Sequence, residues 1–175
     1  MIGSLSVVLY LDLDGVLHPD AVYAVPGKGI ELRGHPGHAL FEHAPLLVSL
    51  LAPYPSVRIV LSTSWVAERG YSRTKRRLGT ELAERVIGAT YHSRHMQNHG
   101  SGQLCLPYFG LSRGRQVLND VGRRRPAHWI ALDDCDEGWQ GYRRHLVLTD
   151  PVQGLGDRSS QEALRAALKS AVDDC

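Results

Sequence analysis

Two carboxylates, Asp12 and Asp14, stand two residues apart and are followed at once by Gly15. They end an apolar, β-branched run over Val7–Leu11, a composition typical of a fully buried strand. Residues two apart at a strand end lean to the same side, so both carboxylates can converge on one point. Two anions placed that close need a cation between them, or one must lose its charge. Gly15 allows a backbone conformation that other residues avoid. The pattern therefore indicates an active site.

Asp-x-Asp-Gly also occurs in calcium-binding loops and in ordinary surface turns. A calcium loop needs further oxygen ligands and a Glu at fixed spacing, whereas this chain continues with Val16, Leu17, His18 and Pro19. The calcium loop is thereby excluded. For the Asp-x-Asp-Gly motif taken alone, an ordinary surface turn stays the alternative to an active site.

Other apolar segments of the chain also end in polar side chains. The segments over 57–61, 128–132 and 146–148 read as further buried strands. In a parallel sheet, ligands bind outside the carboxyl ends of the strands. Three strand ends then deliver polar groups to one rim, namely Asp12 and Asp14, Ser62 and Thr63, and Asp133 and Asp134. This coincidence is more specific than any single motif.

Helical segments separate these strands. We expect helices over 45–51, 73–86, 113–121 and 160–172. Gly79 and Thr80 can break the second helix, with Thr80 as an N-cap, and Ser159 or Ser160 is expected to cap the last. The alternation predicts an α/β fold, a Rossmann-like three-layer sandwich with a mainly parallel central sheet. No repeat or linker divides the chain, so we expect one domain over residues 1–175.

In order and strand context, these motifs resemble those of the haloacid dehalogenase-like (HAD) phosphatases. Asp12-Leu13-Asp14-Gly15-Val16 looks like the first motif of that family, Ser62 like the second, and Asp133-Asp134 like the fourth, acidic motif. The Asp-Gly-Val-Leu-His-Pro and Ser-Thr-Ser-Trp segments are similar to small bacterial HAD domains, some of them associated with nucleic-acid repair. The resemblance covers residues 5–150.

The resemblance implies phosphoryl transfer through an aspartyl-phosphate. Asp12 would attack phosphorus, and Asp14 would protonate the leaving oxygen and later deprotonate the attacking water. Mg²⁺ would lie between Asp12, the backbone carbonyl of Asp14, and Asp133 or Asp134. Ser62 would hold a phosphoryl oxygen. The other expected substrate-binding residues are Thr63, Gly15 and His18.

The chain departs from the family at one position. The family supplies a Lys at the start of the helix before the acidic motif, whereas this chain offers Arg113 and Arg115 there. Lys75 is an alternative that lies farther upstream. Arginine keeps the charge and binds phosphate bidentately, but it is not equivalent to an ammonium. We expect Arg113 or Arg115 to take this role.

The leading function is a magnesium-dependent phosphatase acting on a phosphate monoester. The connection between Asp14 and Ser62 is too short and too rich in Gly and Pro for a large cap domain, so the site would admit bulky substrates such as a nucleic-acid end. Basic runs over 73–77, 113–115 and 123–125 would suit a polyanion, or they are solvated helix faces. The alternatives are a catalytically weakened HAD-like module that binds phosphate or a partner, and a receiver-like phosphoacceptor domain.

Composition sets the remaining expectations. With a formal net charge of +2, the molecule as a whole is not expected to attract polyanions strongly. Cys105, Cys135 and Cys175 have no paired spacing, which suits a reducing, cytoplasmic setting without membrane partners. His92, His95 and His99 read as loop histidines rather than a zinc site, because no further ligand completes a set. Trp65 lies beside the expected site.

Overall fold

The computed structural model describes residues 7–25, 29–92 and 110–173. Its strands are β1 (Val7–Leu11), β2 (Val22–Val25), β3 (Gly29–Leu32), β4 (Arg58–Leu61), β5 (Val86–Ala89), β6 (His128–Asp133) and β7 (Leu146–Leu148). Its helices are α1 (Ala44–Leu51), α2 (Ser64–Arg69), α3 (Tyr71–Arg77), α4 (Thr80–Arg85), α5 (Arg113–Arg124) and α6 (Arg158–Asp173), with a short 3₁₀ helix over Arg143–His145.

Five of the strands form a parallel sheet in the order β5-β4-β1-β6-β7. The central strand β1 is buried along its whole length, as its continuous apolar sequence predicts. Its side chains alternate between two cores. Leu9 and Leu11 pack with the α1, α4 and α6 side, whereas Val8 and Tyr10 pack with α5. The predicted Rossmann-like α/β architecture is confirmed, and the described residues contain no large cap.

The sheet pairing continues into the polar strand ends. The backbone N–H of Asp12 donates to Leu132 (3.0 Å), and that of Ser62 donates to Leu11 (2.8 Å). Thr149 N–H donates to the carbonyl of Asp133 (3.0 Å). These bonds fix the backbone at the ends of β1, β4 and β6 side by side, so the topology supplies the common rim that the sequence predicted.

Several predicted element bounds are wrong. The helix expected over 73–86 is two helices, α3 and α4, and the second is preceded by Gly79 at φ 80°, so Thr80 is inside the helix and not its cap. From Val86 the chain forms the edge strand β5. Helix α6 begins before Ser160, and the carboxylate of Asp157 accepts the Ser160 N–H (2.9 Å), so neither predicted serine is the cap.

The connection after β1 contains more order than its Gly- and Pro-rich sequence indicates. Strands β2 and β3 pair antiparallel as a separate two-stranded hairpin. Helix α2 also follows β4 directly, with Thr63 as its N-cap. Within the described residues, no helix is both long enough and apolar enough to cross a membrane.

Candidate active site

Three carboxylates form a cluster at the ends of β1 and β6. Asp12, Asp133 and Asp134 each place one oxygen so that all three oxygens lie within 4.8 Å of one another. Asp12 is 2% exposed and Asp133 is 1% exposed. Burial raises the pKa of the Asp12 carboxyl to about 7, although the Arg113 guanidinium acts in the opposite direction. Burial and the charge of Asp12 hold the pKa of Asp133 well above its ordinary value. Burial therefore disfavours the ionised form of both carboxyl groups.

Arg113, the first residue of α5, reaches the cluster from the neighbouring helix. One terminal nitrogen (Nη2) lies 3.3 Å from Asp12 Oδ2, and Nε lies 3.5 Å from Asp133 Oδ2. Its other terminal nitrogen (Nη1) donates to the carbonyl of Ser62 (3.0 Å). One planar guanidinium thus contacts three strand ends at once, which suits its fixed fork of donors.

Asp14 is separate from the acidic cluster and is held by two donors. The indole Nε1–H of Trp65 lies 2.9 Å and 3.0 Å from its two oxygens. His18 Nε2 lies 3.0 Å from Oδ1. Because the backbone N–H of Phe41 donates to His18 Nδ1 (3.2 Å), the ring proton belongs on Nε2, which donates to Asp14. The Asp14 side chain stays 28% exposed, so it is oriented and still accessible.

Ser62 and Thr63 follow β4 and play different parts. The hydroxyl of Ser62 is buried and has no hydrogen-bond partner among the described residues. An unpaired buried hydroxyl at the rim is the arrangement that a phosphoryl oxygen would satisfy. Thr63 Oγ1 accepts the backbone N–H of Trp65 (3.4 Å) and caps α2, and its expected contact with substrate stays a prediction.

Gly15 has the positive φ that the sequence predicted, at 68°. A Cβ at this position would overlap the carboxylate of Asp134. Its carbonyl accepts the hydroxyl of Thr149 (2.7 Å), which ties the turn to the end of β7. Glycine is therefore required both by the backbone and by the close approach of Asp134.

The structure does not bring every predicted site residue to this rim. Arg115 is exposed and lines a different pocket, beside Glu137 and Gln140. Lys75 donates to the carbonyl of Val86 (3.1 Å), at the far strand β5. Of the three residues expected for the lysine position, only Arg113 contacts the carboxylates.

His18, expected to bind substrate, is fully buried, and both of its ring nitrogens have protein partners. It orients Asp14 instead of lining the pocket. Of the loop histidines, His92 lies 3.9 Å from Asp120, whereas His95 and His99 fall outside the described residues.

The role of Trp65 was missed by sequence reasoning. Its only signal was its place three residues after Ser62, at the start of the chain segment that leaves β4. That position puts it on α2, with its side chain turned back towards β1. The sequence gives no way to assign the indole N–H to Asp14 rather than to water.

The residues at this rim fit a divalent cation. Asp12, Asp133 and Asp134 supply the carboxylate oxygens that Mg²⁺ prefers. Burial raises the pKa of Asp12 and of Asp133 in spite of the neighbouring Arg113 guanidinium, so a bound cation would stabilise their ionised forms. The unpaired Ser62 hydroxyl leaves a hydrogen-bonding position for a ligand beside them. The cluster is therefore a candidate metal centre.

A parallel sheet that carries two carboxylates after its central strand, a hydroxyl on one neighbour and an acidic pair on the other defines a small HAD-like domain. The chain belongs to the family described as the HAD domain in Swiss Army Knife RNA repair proteins, whose model matches residues 8–159. This family lies within the HAD hydrolase and phosphatase superfamily. Searches of curated proteins and of solved structures find no match to the chain.

Proposed function

We propose that this protein is a magnesium-dependent phosphatase that removes a terminal phosphate from a nucleic-acid strand through an aspartyl-phosphate on Asp12. The observation that carries the proposal is the joint placement of Asp12, Arg113 and the unpaired Ser62 hydroxyl at one rim. The nucleic-acid part rests on the family, whose description names RNA repair proteins. Cytoplasmic location and a single domain over 1–175 stay predictions from the sequence.

The chain's own groups divide the work of such a reaction. A carboxylate oxygen of Asp12 forms the new bond to phosphorus while the bond to the ester oxygen breaks, and Asp14 gives that oxygen a proton. Asp14 then takes a proton from water, whose oxygen attacks phosphorus and releases Asp12 and inorganic phosphate. Trp65 and His18 hold Asp14 in one orientation for both steps.

Electrostatics sets the requirement for a cation. Asp12, Asp133 and Asp134 would hold Mg²⁺, which when bound neutralises charge between the phosphate and the carboxylates and keeps Asp12 ionised. The Ser62 hydroxyl donates to a phosphoryl oxygen, and Arg113 keeps a permanent positive charge beside Asp12. The alternative function, a binding module without turnover, was suggested by the absence of the Lys that the family has at the start of this helix. The contacts of Arg113 with two carboxylates and the Ser62 carbonyl favour the enzyme.

The test is hydrolysis of an aryl phosphate with and without Mg²⁺, by the wild type, Asp12→Asn and Asp14→Asn. Glu162→Gln, which neutralises an exposed acid on α6, serves as the control. We expect turnover that needs Mg²⁺, a loss of at least about 10³-fold in Asp12→Asn, and full activity in the control. Equal turnover by the wild type and Asp12→Asn would contradict the proposal.

A further inference from the structure

A second group of positive side chains lies beside Trp65. A pocket of about 160 Å³, here called the arginine pocket, adjoins the site. Its lining includes Ile30, Trp65, Arg69, Arg73, Thr74 and Arg77. None of its lining residues is acidic. Among the described residues, no ion pair is formed by Arg69, Arg73 or Arg77, and such a concentration of unpaired guanidinium groups calls for an anion.

The local fold builds this pocket from two short helices. Arg69 ends α2, and Gly70, at φ 87°, turns the chain into α3. Arg73 and Arg77 are four residues apart on α3 and therefore share one face of that helix. The hydroxyl of Thr74 donates to the carbonyls of Trp65 (3.2 Å) and Gly70 (3.0 Å), which fixes α3 against α2.

Two observations separate the pocket from an ordinary solvated helix face. Arg69 Nε is buried and has no hydrogen-bond partner among the described residues, so this donor lacks the acceptor that buried polar groups normally have. The guanidinium of Arg77 lies over the Trp65 ring, 5.7 Å from its centroid. In contrast, Lys75 and Arg76 of the same basic run line a different pocket.

Trp65 joins the arginine pocket to the candidate active site. Its N–H donates to Asp14, while its ring forms a wall of the pocket. In the proposed reaction Asp14 protonates the leaving oxygen, so the leaving group lies on the Asp14 side of the site. On a nucleic-acid strand, that leaving group is the sugar, and the next phosphodiester of the strand follows it.

We propose that the arginine pocket binds the phosphodiester next to the terminal phosphate of a single-stranded oligonucleotide. This inference rests on the proposed phosphatase function and goes further by naming the subsite that recognises a strand. Arginine forks match the paired oxygens of a phosphodiester, and such contacts fix the register of a strand without reading its sequence. A substrate with one phosphate gains nothing from the pocket.

The kinetic test uses the wild type, Arg69→Gln and Arg73→Gln, with Arg76→Gln as the matched control on the same helix. Substrates are an aryl phosphate, and mononucleotides and dinucleotides that carry a terminal 3′- or 5′-phosphate. In the wild type we expect kcat/KM to rise from mononucleotide to dinucleotide, in at least one of the two series. The ratio of dinucleotide to aryl phosphate kcat/KM should fall about tenfold in Arg69→Gln and Arg73→Gln, and stay within about twofold in Arg76→Gln.

The second part of the experiment measures binding and needs no turnover. The affinity of each protein for a fluorescent hexanucleotide with hydroxyl groups at both ends is measured by anisotropy at several salt concentrations. Arg69→Gln and Arg73→Gln should weaken binding and flatten its salt dependence, because each removes a phosphate contact, whereas Arg76→Gln should not.

The two arms separate the two claims. Unchanged dinucleotide preference in Arg69→Gln and Arg73→Gln, in enzymes active on aryl phosphate, overturns the subsite and leaves the phosphatase standing. If the wild type hydrolyses no phosphate ester, the phosphatase fails and the binding arm alone decides the subsite. Binding that is equal in all three variants and the wild type overturns it.

Discussion

At the scale of single residues, the molecule depends on how each carboxylate is held. Asp14 receives the Trp65 N–H and the His18 Nε2–H, while Asp12 lies between the Leu13 backbone N–H and Arg113. Two acids only two positions apart therefore have different surroundings. Asp12 lies beside the other two carboxylates of the candidate metal centre, whereas Asp14 is oriented by neutral donors. This difference suits Asp12 as the nucleophile and Asp14 as the residue that carries the proton.

Substituting Arg113 tests whether this residue, rather than Arg115 or Lys75, takes the role of the family Lys. Arg113→Gln removes the cation that contacts Asp12 and Asp133, so kcat/KM for an aryl phosphate should fall by about 100-fold or more. Arg113→Lys keeps the charge but loses the fork, and a smaller loss is expected. Arg115→Gln, on the exposed side of α5, is the control. A larger loss in Arg115→Gln than in Arg113→Gln would contradict the assignment.

The indole N–H of Trp65 is tested by Trp65→Phe, which keeps an aromatic ring and deletes the donor to Asp14. A hydrogen bond to a charged group contributes enough for a loss of about tenfold in kcat, with KM little changed. Trp129→Phe, in the core on the α5 side of the sheet, is the control and should affect stability more than kcat. Equal kcat in Trp65→Phe and the wild type would show that the indole N–H does not position Asp14.

At this scale, the sequence predicted which side chains meet where a polar residue directly follows an apolar strand. Asp12, Ser62 and Asp133 follow apolar strands, so the sheet itself predicts that they meet. Sequence reasoning did not foresee that Thr63 Oγ1 accepts a backbone N–H or that both ring nitrogens of His18 have protein partners. Nothing in a residue type tells whether a hydroxyl or an imidazole faces a ligand or its own chain.

At the scale of elements, long apolar runs were predictable and short pieces between them were not. β1 is recognisable from five consecutive apolar residues, whereas β5 continues a helical segment and contains Gly88. The hairpin of β2 and β3 lies in a stretch whose Gly and Pro content is typical of loops. These short elements gain their order from tertiary contacts, which a local pattern does not carry.

The cap of α6 gives a prediction at this scale. Hydrogen bonds from Ser159 and Ser160 lower the pKa of Asp157 below its ordinary value. A lowered pKa stabilises the fold above the pKa of the unfolded state, and the contribution disappears as the pH falls through the folded value. Asp157→Ala should lower Tm by about 2–4 °C at pH 7, and the difference from the wild type should shrink below about pH 4.

Ser159→Ala is the matched control for the cap, because that serine only donates to Asp157 and is not itself the helix cap. It should lower Tm less than Asp157→Ala at pH 7. A difference between the wild type and Asp157→Ala that persists unchanged in acid would contradict the capping account. Thermal melts followed by circular dichroism give both comparisons.

At the scale of the whole molecule, the fold concentrates buried carboxylates at one end of the sheet. Asp133 is buried beside Asp12, and its raised pKa means that its ionised form costs stability at neutral pH. Asp133→Asn should therefore raise the Tm of the metal-free protein by about 2–4 °C at pH 7, and should abolish the increase in Tm that excess Mg²⁺ gives the wild type. A wild-type Tm that does not respond to Mg²⁺ would contradict the metal centre.

The central claim is that phosphate passes through Asp12, and its most direct test is capture of the intermediate. A labelled aryl phosphate is mixed with excess enzyme and Mg²⁺, the reaction is quenched in acid, and the peptides are mapped by mass spectrometry. We expect phosphate on the peptide containing Asp12, in larger amount in Asp14→Asn, where hydrolysis of the intermediate is slowed, and none in Asp12→Asn. Turnover with no phosphate on that peptide in either the wild type or Asp14→Asn would contradict the account.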